Sequence, residues 1–180
     1  MTVKVQNHSA DVIKVAINRW GADGSTDDFE VAPNKTESWD RSDPRGFIMV
    51  VTRRKARRYY YIHADSDIIV DQDRATDHGR PLAAQLVHVS SDAHLSVKNT
   101  SGRAIEVAIN RWGNDGETDY SSLGQSAIET WDREDPRGFV MVLRRLGKIE
   151  PYFVSRGDEI VVEAKRVTCN DVVIKPLSTH

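Results

Sequence analysis

Two short stretches of this chain concentrate the side chains that could do chemistry. The first runs from Asn18, Arg19, Trp20 and Gly21 to Asp23, Gly24, Thr26 and Asp27. The second runs from Glu37 through Trp39, Asp40 and Arg41 to Asp43, Pro44, Arg45 and Gly46. An indole beside carboxylates, a carboxamide and guanidinium groups suits a saccharide site. The ring covers the C–H face of a sugar, and the polar groups exchange paired hydrogen bonds with its hydroxyls. The oxygen-rich first stretch could also wrap calcium, although the EF-hand spacing is missing. Asp-Gly turn chemistry alone accounts for Gly21, Asp23 and Gly24. Glu37 with Asp40 or Asp43 is a conceivable glycosidase pair, which needs carboxylates roughly 5–10 Å apart. The bland alternative for the second stretch is a lattice of ion pairs that pins a long turn. Exposed pairs contribute about 0–1 kcal/mol each, so that alternative gains weight only if the network is buried.

Both stretches occur twice. From Val5 to Val70 and from Val97 to Val162 the same text recurs at an offset of about 92 residues without a gap, with roughly 30 of about 66 positions identical. Asn110, Trp112, Asp115 and Asp119 repeat the first stretch; Trp131, Asp132, Arg133 and Arg137 repeat the second. Core strands drifted meanwhile, as Ile48-Met49-Val50-Val51 became Val140-Met141-Val142-Leu143, the volume-conserving change that cores tolerate. Loop polars that stay while the core drifts point to a job, because loops usually vary. We therefore take Asn18, Trp20, Asp23, Asp27, Trp39, Asp40, Arg41 and Arg45, with their eight counterparts, as the expected ligand-binding set. His8, His63 and His78 align with Thr100, Ser155 and Asn170, the other histidines lie outside the aligned blocks, and the single cysteine, Cys169, aligns with Asp77. A task shared by both copies thus uses neither, which disfavours Ser-His or Cys-His catalysis and a His/Cys zinc centre. No enzymatic activity and no obligatory cofactor are expected.

The 180 residues carry a formal charge of −2, which gives no electrostatic footprint for nucleic acid. One run departs from this balance: Arg53-Arg54-Lys55-Ala56-Arg57-Arg58, whose counterpart Arg145-Leu146-Gly147-Lys148-Ile149-Glu150 has lost most of its charge. A solvated hairpin turn is the plain reading; contact with a phosphate or an anionic lipid is the functional one. One cysteine allows no internal disulfide, and the chain opens on strand-like residues, so a cytoplasmic protein is expected. No apolar run approaches the roughly 18 residues of a membrane span. The sequons at Asn7, Asn34 and Asn99 are expected to be unused.

Around the two stretches the texture is strand. Ile13, Val15 and Ile17 alternate, as do Ile105, Val107 and Ile109, and short β-rich segments follow near Phe29–Val31, Thr36–Arg41, Phe47–Thr52, Tyr59–His63 and Asp67–Val70. Gly, Pro, Asn and Asp separate them. The pattern predicts an all-β protein of tandem duplicated antiparallel β-sandwich domains, residues 1–85 and 93–180. The intervening segment holds a further strand or short helix within Leu82–Val89. Strand parity sets Trp20 on the face opposite Ile13, Val15 and Ile17 unless a bulge intervenes near Asn18-Arg19, and Trp39 shares parity with polar Glu37 and Arg41. Neither indole reads as a simple core residue.

Val5-x-Asn7-x-Ser9, Trp39-Asp40-Arg41 and the final aromatic strand resemble small cytosolic β-sandwich proteins of mushroom-type fungi, many of them defence lectins. The resemblance implies a carbohydrate-binding, non-enzymatic protein and assigns no residue. Together these readings give a bivalent lectin with one equivalent site per repeat, whose partners are glycans or glycoconjugates. Two weak sites on one chain raise avidity for clustered glycans. Membrane contact would come only through a glycolipid or the basic hairpin. The alternatives are a membrane-binding or pore-forming accessory protein, using that hairpin with Trp20 and Tyr59-Tyr60-Tyr61, and a structural or inhibitor sandwich.

Overall fold

The computed structural model describes residues 1–114 and 116–177; the expected ligand residue Asp115 lies outside them. The described residues form strands and turns with no helix, and hence none long and apolar enough to cross a membrane. The chain divides into two compact units, residues 1–86 and the residues from Val87 onward. In the first unit the strands are β1 (Thr2–Asn7), β2 (Ile13–Ile17), β3 (Phe29–Val31), β4 (Thr36–Asp40), β5 (Phe47–Arg53), β6 (Ala56–Ile62), β7 (Asp67–Val70), β8 (Ala75–Asp77), β9 (Arg80–Pro81) and β10 (Ala84–Gln85). In the second they are β11 (His94–Asn99), β12 (Ile105–Ile109), β13 (Ser121–Leu123), β14 (Ile128–Asp132), β15 (Phe139–Arg145), β16 (Lys148–Val154), β17 (Glu159–Val162), β18 (Val167–Cys169) and β19 (Val172–Ile174).

Each unit holds two sheets. In the first the orders are β4-β1-β7-β8-β9 and β10-β6-β5-β2-β3; in the second they are β14-β11-β17-β18-β19 and β13-β12-β15-β16. The registers repeat with the sequence offset: Val3 faces Trp39 and Leu95 faces Trp131, while Phe47 faces Ile62 and Phe139 faces Val154. Leu177 N donates to Pro151 O at 2.7 Å, at the position where β10 pairs with β6 in the first unit. One pairing per unit corrects the purely antiparallel expectation. β1 runs parallel to β7, and β11 to β17. No hairpin joins these strands, so the chain between them serves as the crossover that parallel pairing requires.

Register also corrects the parity reading of the tryptophans. Cross-strand partners share a face, so Trp39 opposite Val3 lies on the apolar side of β1; it is 5% exposed. Glu37 keeps the same parity but lies near the strand's start and is exposed. Trp20 is 2% exposed because the backbone leaves the ladder at Asn18. Asn18 N donates to Ile48 O at 3.1 Å, and Ile48 N donates to the side-chain Oδ1 of Asn18 at 2.8 Å. The carboxamide stands in for a ladder carbonyl, the chain gains the local shift of a bulge, and the indole two residues on turns inward. Asn110 and Val140 repeat both bonds.

Asn7 and Asn99, read as sequons, are wholly buried. Asn7 Nδ2 donates to Asp11 O and Val31 O, and its Oδ1 accepts from Ser9 N and Ser9 Oγ. The Asn-x-Ser pattern here is an Asx turn that closes the β1–β2 connection. An amide nitrogen so engaged is closed to glycosylation.

The two units supply one carboxylate at equivalent places from opposite sides of a strand pair: part-buried Asp77 from β8 in the first, buried Asp158 from the turn before β17 in the second. In the first, Asp77 on β8 accepts from Ser66 Oγ (2.7 Å) and Asp67 N (2.9 Å). In the second, Asp158 stands at the position of Ser66, Cys169 at that of Asp77 and Asn170 at that of His78. Asp158 accepts from Ser155 N (2.7 Å) and from Asn170 Nδ2 (2.9 Å), while Asn170 Oδ1 takes over the Glu159 N–H (2.9 Å). Burial, reinforced by Asp158, pushes the Cys169 thiol up to about 12. A thiol raised on folding adds stability that is complete below its unfolded value near 9 and is lost as pH rises toward 12. Cys169→Ser should therefore flatten the fall in denaturation midpoint across that alkaline window, measured by urea unfolding. Asp77→Ala should cost about 1–3 kcal/mol by stranding the Ser66 hydroxyl and the Asp67 N–H. The triple change Ser66→Asp, Asp77→Cys, His78→Asn should recover stability that Asp77→Cys alone loses; additive losses in urea titrations would refute the exchange.

Candidate functional site

Both stretches singled out by sequence are held at one place by Arg41. Its side chain reaches from the end of β4 into the loop after β2 and is 1% exposed. Nε donates to Asn18 O (2.9 Å), Nη1 to Asp40 O (2.8 Å), and Nη2 to Ile17 O and Ser25 O (both 2.7 Å). Arg133 makes the matching four bonds to Asn110, Asp132, Ile109 and Glu117. Burial lowers the Arg41 pKa from its ordinary value to about 10, aided by Arg19 and opposed by Asp23 and Asp40. It remains a cation at neutral pH. Gly24, at φ +61°, is required here, because a Cβ would fall on the guanidinium of Arg41.

The first loop therefore does wrap a cation, and that cation is a guanidinium. Arg19 Nη1 also donates to Gly24 O at 2.8 Å. The carbonyl oxygens a calcium ion would need are turned toward arginines. Among the described residues no group of three His, Cys, Asp or Glu side chains is placed to hold a metal ion.

A second assembly joins Trp20 to the Asp43–Arg45 turn. Trp20 Nε1 donates to Gly46 O (2.7 Å), and the Arg45 guanidinium lies 3.7 Å from the indole centroid. Asp43 clamps that guanidinium through Nε (2.8 Å) and Nη2 (2.7 Å) while accepting the Arg45 N–H (2.9 Å). Trp112, Gly138, Arg137 and Asp135 repeat the arrangement, with the cation at 3.8 Å. Gly46, at φ +80°, has Tyr61 where a Cβ would stand, and Gly138 has Phe153.

The expected ligand residues thus part into two groups. Asn18, Trp20, Trp39 and Arg41, with Asn110, Trp112, Trp131 and Arg133, are buried, and all but Trp39 and Trp131 make the internal bonds given above. Arg45 and Arg137 cap their indoles. The proposed indole platform at Trp20 and Trp112 is closed: each ring has its edge bonded and a guanidinium on its face. At the surface stand Asp27, Asp40, Asp119 and Asp132, with Asp23 partly so. Asp23 Oδ2 accepts from Ser42 Oγ (2.9 Å), bridging the two loops. Asp132 meets His94 Nδ1 at 2.7 Å.

A shallow concavity of about 170 Å³ adjoins the Arg41 anchor, lined by Ser25, Phe29, Glu37, Trp39 and Asp40 among others. Phe29 is 42% exposed and meets Trp39 edge-to-face with centroids 6.0 Å apart. Sequence comparison of the repeats passed over Phe29, because its counterpart is Ser121, whose hydroxyl donates to Glu129 (2.7 Å to Oε2). The side chains of the two equivalent faces therefore differ. No family model and no curated protein matches this chain.

Replacing Arg41 by Ala should strand two buried and two part-buried carbonyls and open a cavity, costing about 3–5 kcal/mol. The melting temperature should fall on the order of 10 °C. Arg41→Lys should also destabilise, since an ammonium cannot span the fork. Calorimetry that finds Arg41→Ala unchanged would sink this assignment.

Proposed function

We propose that the chain is a non-enzymatic carbohydrate-binding protein of two tandem β-sandwich repeats. Each repeat presents the surface built by its two retained loops, and the first repeat carries the stronger site. The observation that carries this reading is the Phe29–Trp39 concavity. The half-exposed Phe29 ring shares the concavity with Glu37, Asp40 and Ser25, the mixture of apolar and polar groups that small ligands use. The buried Arg41 network holds that rim without ligand, which lowers the entropy lost on binding. Exchange of Phe29 for Ser121 removes the apolar element from the second face, so that repeat binds more weakly and two-site avidity is reduced. The saccharide-binding set becomes Phe29, Glu37, Trp39, Asp40 and the exposed loop carboxylates; Asn18, Trp20 and Arg41 shape it from below.

Phe29→Ala tests this. On a glycan array and in calorimetry with any hit, affinity should fall about tenfold or more, the loss of one buried aromatic contact. The melting temperature should move little, because the ring is already half in water. Trp20→Ala should instead unfold the loop pair. An array without hits for the wild type, or hits untouched by Phe29→Ala, would overturn the reading.

A second reading, attachment to a membrane, has one observation in its favour. The β15–β16 hairpin carries exposed Leu146 (69%) and Ile149 (60%) beside Arg144 and Lys148. Flotation with anionic vesicles in the absence of glycan hits would prefer it.

A further inference from the structure

The basic hairpin β5–β6 borders a second concavity of the first unit. About 210 Å³ of space is lined by apolar Val51, Ala56, Tyr60 and Val70 and by Arg53, Arg54, Arg58 and Arg74, with Asp71 and Gln72 completing it. Arg54 is paired with Asp11 (2.9 Å) and Arg74 lies 3.7 Å from Asp71. Arg53 and Arg58 are held otherwise: Nη1 of Arg53 donates to Asp71 O (3.4 Å) and Nη1 of Arg58 to Asp73 O (2.7 Å). Among the described residues neither has a carboxylate within ion-pair distance. Each is positioned by a backbone oxygen that leaves its charge and most of its N–H donors available.

The second unit is the internal control. There Glu150 replaces Arg58 and takes up Arg145, the counterpart of Arg53, at 2.6 Å. Glu163 pairs with Arg166 as Asp71 does with Arg74, so the difference lies at Glu150. The same fold has thus neutralised this place in one copy and kept it cationic in the other. The turn agrees: Lys55 adopts φ +71° where the second copy has Gly147 at +73°. A non-glycine residue is costly in that conformation, and the lysine adds another charge to the strip.

We infer that this pocket binds an anionic sugar residue, one ring bearing sulfate or carboxylate. The identity of the ring rests on the carbohydrate-binding reading above; the anion site rests on the hairpin alone. The volume suits a single pyranose, the apolar lining suits its C–H face, and two guanidinium forks suit an oxyanion. A lipid surface fits less well, because this hairpin tip, Arg54-Lys55, offers no apolar side chain to insert. Nucleic acid fits less well because the chain as a whole carries a formal charge of −2 and the basic strip is confined to one hairpin.

The experiment uses the full chain and a fluorescent heparin-derived tetrasaccharide, followed by anisotropy at low ionic strength. One tetrasaccharide should bind per chain, and the affinity should drop as salt is added. Arg58→Glu reproduces the self-neutralised pair of the second unit. It should weaken binding at least tenfold while the melting temperature holds, since the second unit already accommodates Glu there. Glu150→Arg should raise the stoichiometry toward two. Phe29→Ala should leave tetrasaccharide binding intact, so the groove and the pocket can fail separately. Three outcomes would overturn the inference: no binding by wild type, binding indifferent to Arg58→Glu, or binding only to vesicles of equal parts phosphatidylcholine and phosphatidylserine. Equal competition by inorganic sulfate and by the tetrasaccharide at matched charge would leave a bare anion site and remove the sugar.

Discussion

A single guanidinium sets the conditions that the rest of each unit has to meet. Taking an arginine out of water costs several kcal/mol unless its donors are matched. Arg41 is matched by four carbonyls from three separate segments, the end of β2, the following loop and its own strand. Those carbonyls converge only if Asn18 breaks the ladder, Gly24 vacates the space beside the fork, and β4 ends where it does. The apparent clutter of retained polar residues is therefore one construction. The indole stack of Trp20 under Arg45, clamped by Asp43, fixes the other side of the same loops.

This construction changes what retention means. Residues held constant between two copies can be constant because a binding surface needs them or because an interior does. Here the interior accounts for Asn18, Trp20, Arg41 and Arg45. Glu37, Trp39 and Asp40 are common to both copies, and what separates the proposed sites is what the copies did not share, Phe29 against Ser121 and Arg58 against Glu150. Duplicated units keep their frames and differ in what the frames display.

Much of the frame was legible in the sequence. The β texture, the strand positions from Phe29 to Val70 and the common register of the copies follow from alternation and from the repeat. Three things were hidden for physical reasons. The parallel β1–β7 pair leaves no local signature, because its partners are joined by no turn. The inward turn of Trp20 depends on a side-chain amide imitating a backbone carbonyl, which parity counting cannot register. The anchoring role of Arg41 looked like surface charge, since an arginine bonded to main-chain oxygens has no acidic partner to give it away.

The opposite placement of the carboxylate bears on how two such similar halves fold beside each other. Tandem copies with matching registers invite exchange of strands during folding. If β8 and β18 traded places, Asp77 would confront Asp158, and Ser66 would face Cys169. One pocket would hold two carboxylates and the other none. Two carboxylates at hydrogen-bond range repel each other. The difference between the copies would thus act as a lock and ward, favouring each strand in its own half over the other.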